Sequence, residues 1–222
     1  MIRMMRLSRY ANNPNLGVYS CVSEDFAFIA SDLGDEYVAE IEEVLQVKGF
    51  RTSVAGSFVV GSLMAMNSNG AIVSGLAEEK ELAVIRAQLP VAPLNAPLNA
   101  AGNNILVNDF GAIVNPEIDD RSMKEVEDAL GVECVRGTIA GVGTVGSVCR
   151  ATNKGAAVHP GATEADIQLI KDVLKVDAMR TTLNHGCRTL ASCVLANSKG
   201  AVIGDLSTPI EVGKLEDALV LY

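Results

Sequence analysis

Small and apolar residues recur along this chain with a period of 41 to 45 positions. With Gly155 as the reference, the equivalent residues are Phe26, Gly70, Gly111 and Gly200, spaced by 44, 41, 44 and 45. One position after each stands an alanine (Ala27, Ala71, Ala112, Ala156, Ala201), and three after stands a β-branched residue (Ile29, Val73, Val114, Val158, Ile203). Further on come Val38/Ile41/Leu45, Leu82/Ile85/Leu89, Met123/Val126/Leu130, Ile167/Ile170/Leu174 and Val212/Leu215/Leu219. This is the i, i+3, i+7 stripe of an amphipathic helix. Nine before the reference are Gly17, Gly61, Gly102, Gly146 and Ala191, and three before are Ser23, Asn67, Asn108, Thr152 and Asn197. Local propensity does not produce seven columns in step, so the repeat governs the fold.

Each unit reads as strand, turn, strand, loop, helix, strand. The clearest hairpin is Ala151 to Pro160, where Thr152, Asn153 and Lys154 suit a type I turn and Gly155 is expected to supply a left-handed closing residue. Two helices announce their starts: Thr163-Glu164-Ala165-Asp166 has the form of a capping box, and Thr208-Pro209-Ile210-Glu211 adds a proline at the first helical position. Short extended segments follow the helices, most clearly at 49–54, 133–139 and 177–183. In the second unit that segment, 90–99, holds Pro90, Pro93 and Pro97, and is expected to be short or irregular. The fifth unit runs out soon after Leu219, whereas the chain begins with an orphan strand at 2–8. A ring closes if that strand completes the fifth unit. The pattern therefore predicts an α+β fold: a single domain built as a five-bladed, pseudo-fivefold propeller, helices outside. Its repeats are approximately 9–53, 54–97, 98–138, 139–182 and 183–222, the last closed by 1–8.

Composition narrows the function classes. Apolar residues make up 49% and aromatics only 4%, so burial must come from aliphatic and alanine packing of regular elements. Lys and Arg number 18 against 27 Asp and Glu, a net charge of −9 that argues against affinity for exposed duplex and for a basic protein partner. The five cysteines are odd in number and form no C-x-x-C pair, which reads as reduced thiols in a cytoplasmic protein. The N-terminus has no signal-peptide pattern and no apolar run reaches membrane length. Two histidines and scattered cysteines lack metal-site spacing, and no cofactor is expected. Gly141-Val142-Gly143-Thr144-Val145-Gly146 is glycine-rich but enters a hairpin rather than a helix, which denies it a dinucleotide role.

With the repeat, the Gly-Ser hairpin entries at Gly61-Ser62 and Gly146-Ser147, Gly102-Asn103, Val54-Ala55-Gly56, Asn184-His185-Gly186, Ile203-Gly204-Asp205, and the endings Ala-Val-His-Pro and Ala-Ile-Val-Asn-Pro, the chain resembles the translation initiation factor six family. This is the ribosomal anti-association factor of archaea and eukaryotes, and the length is that of the archaeal form. The resemblance implies a pentein-type propeller, monomeric, that binds the large ribosomal subunit where the small one docks. It implies contact chiefly with ribosomal proteins, with an rRNA loop nearby, and a role in large-subunit biogenesis. No chemistry, DNA or membrane is implied.

Candidate contacts lie in the loops entering the hairpins: Asn12, Asn13, Gly56, Ser62, Asn103, Asn104, Thr144, Asn184, His185 and Arg188. Their Asn and Gly serve turn geometry equally well. Asn103 stands out, because its column otherwise holds Ser62, Ser147 and Ser192, and because it falls where the family has an asparagine tied to ribosome binding. Arg6, Arg51, Arg136 and Arg180 each stand two residues before a hydroxyl, on one strand face of four units. Repetition would gather them into a ring able to hold RNA phosphate; the alternative is an exposed face paired with helix acids. The pentein fold also houses guanidine-modifying enzymes, so Cys187 with His185 or His159 is the catalytic alternative. Extended, His185 and Cys187 would share a face. His159, before Pro160, has Asn115-Pro116 as its counterpart, which loop geometry explains.

Overall fold

The computed structural model describes residues 4–32 and 34–222, so Ile2 and Arg3 of the expected first strand lie outside the described residues. The chain opens with β1 (Met5–Ser8) and a 3-10 turn at Leu16–Val18, then runs through β2 (Ser20–Val22), β3 (Phe26–Ala30), α1 (Asp35–Leu45) and β4 (Lys48–Thr52). The second repeat is α2 (Val60–Leu63), β5 (Met64–Met66), β6 (Ala71–Ser74), α3 (Glu79–Arg86) and β7 (Val91–Leu94). The third is α4 (Ala101–Asn104), β8 (Ile105–Val107), β9 (Ala112–Val114), α5 (Asp120–Leu130) and β10 (Cys134–Arg136). The fourth is α6 (Val145–Val148), β11 (Cys149–Ala151), β12 (Ala156–Val158), α7 (Glu164–Leu174) and β13 (Ala178–Arg180). The fifth is α8 (Leu190–Cys193), β14 (Val194–Asn197), β15 (Gly200–Gly204) and α9 (Pro209–Leu219).

These strands form five three-stranded sheets, a mixed α+β fold with a fivefold pseudo-repeat. In each, an inner and a middle strand pair antiparallel as a hairpin, and an outer strand joins the middle one in parallel. A parallel neighbour requires a long crossover, which the amphipathic helix provides. In the fifth sheet the outer place is taken by β1, which pairs with β15 from Met5↔Ala201 to Ser8↔Gly204. The inner strands touch in the order β2, β5, β8, β11, β14, and β14 also touches β2. Each helix packs its stripe inward, with Ile41, Leu45, Ile85, Val126, Leu130, Ile170, Leu174, Leu215 and Leu219 all fully buried. The capping boxes expected at Thr163 and Thr208 are formed, and Glu78 with Glu81 makes a third.

Three expectations need correction. Gly155 is not left-handed, nor are Gly70, Gly111 and Gly200. The turn is instead closed by the side chain three residues earlier: Asn67 Oδ1 accepts from the amides of Asn69 and Gly70 at 3.0 and 3.1 Å, and Thr152 Oγ1 does the same for Lys154 and Gly155. Glycine is needed there for close approach. A Cβ on Gly70, Gly111, Gly155 or Gly200 would collide with the carbonyl of Ala129, Val173, Ala218 or Val44, the last residue but one of the next repeat's helix. The first unit carries Phe26 at this position, and the next repeat's helix, α3, has 8 residues where the other four long helices have 11. Second, β7 is a regular four-residue strand paired to β6 through Pro93↔Val73. An outer strand needs only alternate amides for its one neighbour, so a proline whose nitrogen faces away costs the ladder nothing. Third, the loop before each hairpin contains a single helical turn that periodicity did not reveal.

Adjacent repeats are stapled by the same turn residues. The side-chain amide of Asn67 donates to the carbonyls of Asn108 (3.2 Å) and Leu130 (2.9 Å). That of Asn108 donates to Thr152 (3.0 Å) and Leu174 (2.8 Å), and that of Asn197 to Ser23 (3.2 Å) and Leu45 (2.9 Å). Each asparagine is buried, satisfies its own turn with one end and the neighbouring repeat's turn and helix end with the other.

Candidate partner-docking face

Four tight turns follow the outer strands: Tyr10–Asn13, Val54–Ser57, Ile139–Val142 and Leu183–Cys187. They contain left-handed residues that are not glycine, namely Ala11 (φ 52°), Ala55 (54°), Ala140 (54°), Asn184 (45°) and His185 (61°). Such residues persist only where surroundings hold them. In three of the four turns the holding group is a carboxylate in the first turn of a helix. Glu81 accepts from Ser53 Oγ (2.6 Å) and the amides of Ala55 (2.9 Å) and Gly56 (3.0 Å). Glu211 accepts from Thr182 Oγ1 (2.7 Å) and the amides of His185 (3.1 Å) and Gly186 (2.8 Å). Asp166 accepts from the Ala140 amide (3.1 Å), and Tyr10 donates to Asp32. Burial alone would raise the Glu211 carboxyl, but its hydrogen bonds from Thr208, Thr182 and Gly186 outweigh that and bring it down to about 2. Glu81 is lowered in the same way.

Because these acids cap the helices, the turns sit at the helix N-terminal end of the molecule and the hairpin turns at the opposite end. Most of the sequence candidates converge on the former. Asn12, Gly56, Thr144, His185 and Arg188 are exposed there. Ser62 and Asn103, with Ser147 and Ser192, line a cavity of about 90 Å³ that residues of all five repeats surround. The remaining candidates are committed to the fold. Asn104 is buried, donating to the Ala100 carbonyl (3.0 Å) and accepting from Asn115 Nδ2 (2.8 Å). Asn13 Nδ2 donates to Tyr19 Oη at 2.9 Å, and Asn184 Nδ2 ties its turn to the Pro14 carbonyl at 2.9 Å.

At the same end stand exposed apolar side chains that the sequence reading passed over: Phe58, Leu76, Leu206 and Ile210, the last 73% exposed. Leu76 and Leu206 occupy one column, six after the reference, so the repeat itself carried the signal.

The four outer-strand arginines each meet a helix acid, as the second of their two readings had it. Arg6, Arg51, Arg136 and Arg180 lie on the outer strands and bond Glu43 (2.9 Å), Asp35 (2.6 Å), Asp120 (2.7 Å) and Glu164 (2.7 Å). Their charges are matched one by one around the periphery rather than pooled. The shared face of His185 and Cys187 is also not formed, because Asn184, His185 and Gly186 are all left-handed and the chain turns between them. Cys187 Sγ lies 3.2 Å from Thr189 Oγ1, and His159 Nδ1 accepts from the Gly161 amide at 2.9 Å in its own loop. The five cysteines are free, and all but Cys187 are buried. Among the described residues no group of three His, Cys, Asp or Glu is placed to hold a metal, and no helix is long and apolar enough to cross a membrane.

Comparison with known proteins matches the eIF-6 family over residues 5–218. The chain belongs to the eIF-6 family. Relatives named translation initiation factor 6 include that of Thermoplasma acidophilum, 38% identical over 216 residues, covering 97% of this chain and 100% of the relative. That of Methanoculleus marisnigri is 40% identical over 207 residues, covering 93% and 94%. That of Picrophilus torridus is 35% identical over 218 residues, covering 97% and 100%. Membership in this family makes the chain a translation initiation factor by kind.

Proposed function

We propose that this chain binds the large ribosomal subunit, keeps the small subunit from joining it and accompanies large-subunit maturation. In this reading it acts as a rigid, non-catalytic monomer in the cytoplasm, a single domain whose five repeats form a closed propeller. The pairing of β1 with β15 and the contact of β14 with β2 support closure. The observation that carries the docking role is the convergence of five exposed candidate loop residues, the Asn103 rim and four exposed apolar side chains on one end of the scaffold. Loops fixed by buried carboxylates lose little entropy on binding, which favours affinity. An acidic chain suits basic ribosomal proteins, with an rRNA loop as a secondary contact.

Sucrose-gradient sedimentation with purified archaeal large subunits tests it. The wild-type protein is expected to co-sediment and to reduce joining of small subunits. Asn103→Ala is expected to weaken both by about 10-fold, the range of one interface residue of 1–2 kcal/mol, with its melting temperature unchanged. Failure of the wild type to co-sediment overturns the function; an unaffected Asn103→Ala moves the contact away from the cavity rim.

A further inference from the structure

Five positions before the reference, the inner strands carry Cys21, Ala65, Leu106, Arg150 and Leu195. Four of the five are neutral and one is a guanidinium. Arg150 on β11 faces Ala157 on β12, whereas the corresponding partners elsewhere are Phe28, Ile72, Ile113 and Val202. The repeat that brings in the charge is thus also the one whose partner is smallest.

Arg150 lines the cavity of about 90 Å³ surrounded by all five repeats. Its Nε is sealed from solvent with no hydrogen-bond partner among the described residues, and its Nη2 makes one long bond, 3.4 Å, to the Val194 carbonyl. Among the described residues no carboxylate pairs with it. The titratable groups beside it are the Cys21 and Cys149 thiols, which burial pushes up to about 11 and about 12, so they stay neutral. Glu24 and Asp109, beside the hairpin turns at the opposite end, accept from Ser198 and from Ser68 and Asn153. Arg150 is half-buried, and a cation confined in a cavity without counter-charge, with one polar atom buried and unpartnered, favours an anion beside it. The cavity has room for several water-sized particles, and its rim, Ser62, Asn103, Ser147 and Ser192, is polar and uncharged.

We propose that Arg150 binds a small inorganic anion of the halide class inside this cavity. The ion sits against the part of the guanidinium that the cavity reaches and supplies the negative charge that the surrounding strands lack. The site is independent of the docking reading above, since it needs no macromolecular partner.

The test titrates the full-length protein with bromide against gluconate at constant ionic strength, following the melting temperature of the wild type and of Arg150→Met. Methionine keeps the stem and removes the charge. The wild type is expected to rise by about 3–6 °C when bromide reaches about ten times its Kd, and the variant to show no bromide-specific rise. Crystals of the wild type grown in bromide are expected to give an anomalous peak within hydrogen-bond reach of the Arg150 guanidinium. Equal bromide responses of the two proteins, or no such peak, overturn the proposal. If Arg150→Met does not fold, the wild-type peak decides alone.

Discussion

Glu211 does two jobs with one carboxylate. It closes the capping box of α9 through Thr208 and holds the left-handed turn at His185 and Gly186. Its carboxyl falls from an ordinary 4.5 to about 2 in the folded chain. A depressed acid stabilises fully above its unfolded value and loses that contribution as pH falls through its folded one. The contribution, no more than about 3 kcal/mol, is therefore present above about pH 4.5 and fades towards pH 2. Glu211→Gln is expected to lower the melting temperature at pH 7 and to flatten its dependence on pH across that window. Acid titrations followed by circular dichroism check this; parallel curves for variant and wild type would refute it. The capping role was legible in the sequence, since Thr208-Pro209-Ile210-Glu211 spells it. The reach to the turn at 183–187 was not, because a one-dimensional pattern records spacing along the chain and this bond joins residues 25 and 26 apart.

At the scale of elements, the staple between neighbouring repeats is present where the turn residue is asparagine and missing where it is Ser23 or Thr152. By the repeat, an asparagine at 152 would reach the carbonyls of Asn197 and Leu219, the counterparts of those that Asn108 bonds. Thr152→Asn is expected to stabilise by about 1 kcal/mol, the net worth of one added hydrogen bond, or about 2–4 °C. The mirror change, Asn108→Thr, orphans the Thr152 and Leu174 carbonyls and should cost about 1–3 kcal/mol. Differential scanning calorimetry of the pair checks both signs. The strands other than β7, the hairpins and the long helices of this level were legible, because each buries a periodic face, whereas the prolines of 90–99 hid β7. The single helical turns α2, α4, α6 and α8 were not: four residues are too few to show a period. The hairpin glycines were placed correctly and explained wrongly. Sequence shows that glycine is required at Gly155 but cannot separate a left-handed backbone from a missing Cβ against the Ala218 carbonyl.

For the whole molecule, the junction of first and last repeats rests on β1 against β15, the Asn197 amide on Ser23 and Leu45, and the Asn184 amide on Pro14. Removing residues 1–9 strips the outer strand from the fifth sheet and leaves the β15 edge unpaired. The expected loss exceeds about 3 kcal/mol, or roughly 6–12 °C in melting temperature; an unchanged melting curve would count against a closed ring. Because Arg51 and Arg136 spend their charge on Asp35 and Asp120, the double change to alanine is expected to leave the salt dependence of subunit binding unaltered. The sequence placed those arginines on one strand face and offered helix acids as their partners, but did not show that the acids 16 residues upstream are the ones they meet.

The pairing of Met5 with Ala201 has a further consequence for how the chain is made. The partner of the earliest strand lies nearly 200 residues further along the chain, so at about 5–20 residues per second that strand waits roughly 10–40 s with its edge bare. The other four sheets can be assembled while it waits, and the fifth is sealed only when β14 and β15 have emerged. A nascent chain stalled before Gly200 would carry a sticky β1 with nothing to hold it, and would depend on chaperones until the missing hairpin arrived.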